Sequence, residues 1–169
     1  GRRAMTDTAA DFVARFGHVF EHSPWVVVRA AALNPATDAA AIKAAVAAVL
    51  RDASDDEKLA LLLAHPRLAD KAAVAAGLTE DSTAEQASAG LDRLTPAEYD
   101  EFHRLNAAYD ARFGFPFIIC VRLHDKAGIL SAMRSRLERD AAAEFAEGIA
   151  QVLLIAGLRL DAALAERAP

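Results

Sequence analysis

His65 stands directly before Pro66, where a helix must end, because proline disfavours helical backbone at the residue ahead of it. A helix end can open onto a cleft, and an imidazole gives or takes a proton near neutral pH, so His65 is the first residue that could do chemistry. The same position suits a histidine that only caps a helix, and both readings stand at this point. Further along, Ser82-Thr83-Ala84-Glu85 has the spacing of a capping box, an ordinary helix-starting device. A helix start also presents unpaired N–H groups that can hold a carboxylate or a carbonyl oxygen, and Glu85 and Gln86 set an acid and an amide beside them.

Other reactive residue types are poorly placed for chemistry. His18, His22, His103 and His124 show no zinc spacing beyond the four-residue step from His18 to His22, for which no third ligand is evident. Cys120 is the sole cysteine, so it makes no internal disulfide, and with no Cys or His at ligand spacing it builds no metal site. We therefore expect no metal. Cys120 reads as a small buried apolar residue whose backbone faces a ligand, and Trp25 as core packing. Gly-rich phosphate loops and a Ser-centred hydrolase elbow are absent, which argues against nucleotide and acyl-transfer chemistry.

Helices must position these residues. Ser23 and Pro24 read as N-cap and first helical residue of a short apolar helix from Trp25 that ends near Asn34-Pro35. Thr37 is the expected cap of an alanine-rich helix from Asp38 to Arg51, and Ser54-Asp55-Asp56-Glu57 is a capping box for a helix through Leu63. Lys71 to Ala76 predicts one or two turns closed by Gly77, and Thr95-Pro96-Ala97-Glu98 is another capping box. After it, Tyr99, Phe102, Leu105, Tyr109 and Phe113 share one helix face and predict core. Gly114 and Pro116 break this rhythm, so the apolar run Phe117 to Val121 predicts an extended, buried connector near residues 114–122. Helix returns from Lys126 to Arg139 and from Ala141 to Arg167, with Phe145, Ile149, Val152, Leu153, Ala156 and Leu160 as a stripe.

Length and composition agree with an all-α fold. A chain of 169 residues is the size of one domain, and alanine, leucine and valine outweigh glycine and proline. No linker or repeat divides it, so residues 5–169 are expected to form a single helical domain. Gly1 to Ala4, ahead of Met5, look like a cloning remnant. The net charge of -5 and the scattered arginines argue against nucleic-acid binding. No run is expected to reach the roughly 20 apolar residues of a membrane span, nor is a signal segment evident. A reducing cytoplasm is the expected location.

Several segments, taken in order, resemble one family. They are Phe20-Glu21-His22-Ser23-Pro24-Trp25, His65-Pro66-Arg67-Leu68-Ala69, Ser82 through Leu91 (STAEQASAGL), Arg104-Leu105-Asn106, and Arg112 through Arg122 (RFGFPFIICVR). Together they span most of the chain and resemble the OHCU decarboxylases, which act on 2-oxo-4-hydroxy-4-carboxy-5-ureidoimidazoline. The resemblance implies an all-α fold, usually a homodimer, working without metal or organic cofactor on a small ureide in urate degradation. It implies that His65 is the catalytic histidine, and we expect Glu85 to position His65 or the substrate. It also implies substrate binding at Pro66, at Ser82, Thr83, Ala84, Glu85 and Gln86, and at Phe117, Ile118, Ile119, Cys120 and Val121, with much of the last segment acting through its backbone. Arg67 and Asp70 fall where the family varies. The tail Glu166-Arg167-Ala168-Pro169 differs from the peroxisomal tripeptide of eukaryotic members. Competing expectations are a catalytically inactive helical module that binds a ureide or a protein, and a hydrolase or racemase acting on a neighbouring ureide.

Overall fold

A computed structural model describes residues 2–166, with side chains described from residue 9 onward. Residue 1 of the expected remnant and the end of the last predicted helix at Arg167 lie outside the described residues. The chain is all-α: α1 (Arg2–Phe16), α2 (Trp25–Ala32), α3 (Ala39–Asp52), α4 (Asp55–Leu63), α5 (Lys71–Ala76), α6 (Glu80–Ser88), α7 (Pro96–Phe113), α8 (Lys126–Arg136) and α9 (Ala141–Ala165). Short 3-10 turns lie at Gly17–Val19 and Val121–Leu123, and no strand occurs among the described residues. Two compact units form, one from the chain up to Ala64 together with the chain from Val152 onward, the other from His65–Gln151.

In the first unit α3 shows how the sequence makes a core. Ile42, Ala45, Val46, Val49 and Leu50 recur at three- and four-residue steps, and all are buried. They pack with α2, which buries Val26, Val27 and Ala30. A charge pair is enclosed here as well: Arg159 Nη1 donates to Glu21 Oε1 at 3.3 Å and to the Val19 carbonyl at 3.4 Å. Neither the helix α1 nor this pair was expected from the sequence.

The second unit holds the predicted site. Phe102, Leu105 and Tyr109 of α7 are buried as their spacing predicts, whereas Tyr99 and Phe113 are only half-buried. Gly114 ends α7 in the left-handed region at φ 78°, which releases the chain into the extended connector. Phe115, Phe117, Ile118, Ile119, Cys120 and Val121 are then all buried. Tyr109 meets Phe117 edge-on at 5.4 Å, so the connector closes over α7 through aromatic packing.

Local signals that involve a single box held. Ser54 with Glu57 and Thr95 with Glu98 form complete capping boxes. Others moved. The Ser23 hydroxyl donates to the Glu21 carbonyl at 2.9 Å instead of capping, and Pro24 becomes the N-cap of α2. Asp38, not Thr37, caps α3, because its carboxylate accepts from Ala41 N–H at 2.8 Å and outcompetes the hydroxyl one residue earlier. The α8 helix stops at Arg136 and not at Arg139. Trp25 is half-buried, with the Arg29 guanidinium 4.7 Å from its ring centre, so it is only partly core.

Helix α9 corrects the expectation about apolar runs. Its 25 residues contain a window of mean hydropathy 1.6, long and apolar enough by composition to cross a membrane. It also carries the buried Glu144 and Arg159, and Val152, Ala156 and Leu160 face the core, as expected of a core helix inside a protein.

The capping carboxylates set an acid-side pH dependence. The bond from Arg29, and then the Ser54 N–H, hold Glu57 down to about 2, while Lys126 and then the Thr95 N–H do the same for Glu98. Both folded values are depressed, so their stabilisation is complete above the ordinary carboxylate value near 4.5 and is lost as pH falls toward about 2. Melting temperature is expected to fall between pH 4.5 and 2. Glu98→Gln should flatten part of that fall, and because both groups are exposed the effect should shrink in added salt.

Candidate active site

The His65–Asp70 loop leaves α4 at its C-cap, Ala64, and His65 itself is buried at 8% exposure. Two side chains hold this loop. Asn106 Nδ2 on α7 donates to the Leu68 carbonyl at 2.9 Å, and Gln86 Oε1 on α6 accepts from Ala69 N–H at 3.1 Å. Ala69 adopts φ 55°, a left-handed conformation that costs an alanine about 1–2 kcal/mol. The Gln86 bond helps to offset that cost and keeps the loop in one shape. Arg67 pairs with Asp110, and the Asp70 carboxylate caps α5 by accepting from Ala72 N–H at 3.0 Å.

The predicted capping box at Ser82 is not the start of α6. Thr79 is the N-cap, its hydroxyl accepting from Ser82 N–H at 3.2 Å, and Ser82 through Gln86 lie inside the helix. This shift changes which of them come together. At 100° per residue Ser82, Glu85 and Gln86 share one face, and all three are buried. Thr83 and Ala84 turn away and are exposed, and the Thr83 hydroxyl donates to the Thr79 carbonyl at 2.9 Å. Thr83 and Gln86 line an open, mostly apolar groove of about 1010 Å³ beside α5 and α7, whereas His65, Ser82 and Glu85 lie outside its lining.

Helix α6 packs against the 3-10 turn Val121–Leu123, which brings the buried polar face and the end of the connector into one neighbourhood. Two connector groups are engaged by side chains of α8 and α9: Arg136 Nη1 donates to the Ile118 carbonyl at 2.7 Å, and Cys120 N–H donates to Gln151 Oε1 at 2.9 Å. The Cys120 backbone is thus held by the protein, and its side chain is buried as expected. Sequence reasoning missed Asn106 as a support of the His65 loop, and Arg136, Glu144 and Gln151 as supports of the connector. Only Asn106 had a signal, as part of the Arg104-Leu105-Asn106 block. Among the described residues no group of three His, Cys, Asp or Glu side chains is placed to hold a metal ion.

The second unit is thus an all-helical scaffold in which the loop that begins at a buried histidine is tied to a helix burying a serine, a carboxyl group and an amide. The comparisons narrow this class. The family model described as OHCU decarboxylase matches residues 5–161, and the chain belongs to that family. It is 40% identical over 149 residues to the 2-oxo-4-hydroxy-4-carboxy-5-ureidoimidazoline decarboxylase of Haloferax volcanii, covering 88% of this chain and 86% of that one. The protein of the same name from Halalkalicoccus jeotgali is 41% identical, over 89% of this chain and 83% of its own length. A crystal structure of (S)-allantoin synthase superposes with a TM-score of 0.70 at 29% identity, over 96% of this chain. This chain spans about half, 53%, of the length of that one.

Proposed function

We propose that the chain decarboxylates 2-oxo-4-hydroxy-4-carboxy-5-ureidoimidazoline to (S)-allantoin in urate degradation, with His65 as the proton-transfer residue. Its family supplies the reaction. The observation that carries the residue assignment is the bracing of the His65 loop onto α6 and α7 through the Ala69–Gln86 and Leu68–Asn106 bonds, with α6 in turn against the connector.

The substrate loses CO2 from a ring carbon that also bears a hydroxyl. The electron pair of the breaking C–C bond forms a double bond to the ureido-bearing carbon, and the adjoining C=N bond yields its pair to nitrogen, which takes a proton. The ring is its own electron sink, so no external one is required. The resulting enol then gives up its hydroxyl proton and accepts a proton on the ureido-bearing carbon, from one face, to become (S)-allantoin. His65 moves the proton, Glu85 orients His65 or the substrate, and Ser82, Gln86, Pro66 and backbone groups of Phe117 to Val121 hold the ring and the ureido arm. Because Gln86 Oε1 already accepts from Ala69, its amide nitrogen is the group left to donate to a ligand carbonyl.

The chain from residue 5 onward is proposed to act as one domain, as a homodimer of twice the chain mass in solution, in the cytoplasm, without metal or organic cofactor. The test is CO2 release and circular dichroism of the allantoin formed from freshly generated substrate, with and without EDTA. Racemic product at the uncatalysed rate, or turnover that EDTA abolishes and one metal restores, would overturn the reading.

Glu85 offers a check on the site itself. Glu85→Ala is expected to lower kcat and raise KM together. A residue serving only the packing of helix α6 would instead lower stability and leave the kinetics of the folded enzyme unchanged. Thermal melting alongside steady-state kinetics separates the two.

A further inference from the structure

Packed against the connector lies a buried charge cluster that the reaction as drawn does not use. Glu144 of α9 is fully enclosed, and its Oε1 accepts from the Tyr109 hydroxyl at 2.6 Å and from Arg136 Nε at 2.8 Å. Its Oε2 accepts from Arg139 Nη1 at 3.1 Å. Arg136 of α8, itself 7% exposed, sends Nη1 to the Ile118 carbonyl and lays its guanidinium 4.4 Å from the centre of the Phe117 ring. One side chain therefore joins the carboxylate on α9 to both the backbone and the aromatic face of the connector.

An extended segment without a sheet partner cannot take its backbone geometry from a ladder, so the geometry must come from side chains that engage its N–H and C=O groups. Buried ion pairs are weak stabilisers, because desolvating both ions offsets much of their attraction, and their best use is to specify a geometry. Only arginine has a planar fork that can reach a carboxylate and a carbonyl at once while stacking on a ring.

We propose that Arg136, oriented by Glu144, is a positioning residue that sets the backbone of Phe117 to Val121 for binding the ureide. The proposal rests on the reaction assigned above. Arg136 touches the wall that holds substrate and not the reacting atoms, so its loss should act mainly on binding.

The test compares wild type with two variants: Arg136→Lys, which keeps the charge but loses the fork, and the double variant Arg136→Met/Glu144→Gln, which removes both charges so that neither ion is stranded. Measured are KM and kcat for allantoin formation, thermal melting, and amide hydrogen exchange across residues 117–121. Both variants are expected to raise KM about tenfold or more with a smaller fall in kcat, and to speed exchange in this segment beyond any change in global stability. Should Arg136→Lys not fold, the double variant decides alone. A folded variant with wild-type exchange in the segment overturns the proposal, and so does faster exchange with unchanged KM. Wild-type protein that makes no (S)-allantoin defeats the assigned reaction, and this is read before any variant is compared.

Discussion

His65→Asn is expected to fold as wild type, to keep most of its ligand affinity and to lose roughly 10²–10⁴ in catalytic rate, the usual scale for removing a positioned proton-transfer group. Asparagine matches histidine in polarity and approximate size, so it can still end α4 and make hydrogen bonds in the loop. It cannot exchange a proton near neutral pH. A histidine that only closed the helix or oriented substrate would tolerate the change with a much smaller loss. The readout must be chiral, because the substrate also loses CO2 without an enzyme and then yields racemic allantoin. Circular dichroism of the product, followed with thermal melting of each protein, separates lost chemistry from lost fold. A well-folded variant that forms (S)-allantoin near the wild-type rate removes His65 from the proton transfer and leaves it a binding residue.

Arg159→Met is expected to destabilise the chain by about 3–5 kcal/mol, because it takes away the guanidinium facing an enclosed carboxylate. Glu21 is 1% exposed and Arg159 is 4% exposed, so water does not screen the carboxylate once the guanidinium is gone. Methionine fills similar space, and the loss therefore reports charge and hydrogen bonding more than a cavity. The companion experiment is Glu21→Gln/Arg159→Met, in which both charges are gone and most of the stability should return. Urea denaturation of the two variants beside wild type checks this. Equal, small losses in both would show that the pair contributes little and that packing by the arginine stem dominates.

The two pairs, Glu21 with Arg159 and Arg136 with Glu144, also mark where sequence reading stopped. Glu21 and Arg159 lie 138 positions apart, and although Glu21 falls within one of the family segments, nothing in a short window pairs it with Arg159. Apolar stripes were easier to read, because a stripe at three- and four-residue steps is a property of one helix. Phe102, Leu105 and Tyr109 are buried for that reason, as are Ile42, Val46 and Val49.

Capping shows the boundary within a few residues of chain. Ser54 with Glu57 and Thr95 with Glu98 were legible because all the atoms of a capping box lie within four residues. At α6 two hydroxyls compete three residues apart. Thr79 takes the cap, and Ser82, Glu85 and Gln86 are freed to form a buried polar face. The sequence predicted a capping box there, and the structure has a buried polar face in its place.

What the sequence by itself determined was therefore the helical class, the break at Gly114-Pro116 with its buried connector, the stop before Pro66, and the family that these segments share. Each is set by backbone preference or periodicity within a short window, where neighbours in sequence are neighbours in space. Only the tertiary structure decided that Ser82, Glu85 and Gln86 face inward while Thr83 and Ala84 do not, that Asn106 and Gln86 grip the His65 loop, and that Arg136 bridges Glu144 to Ile118. Those outcomes depend on which helix faces are buried against one another and on which partners the enclosed polar groups find. Both are settled by contacts between residues far apart in sequence.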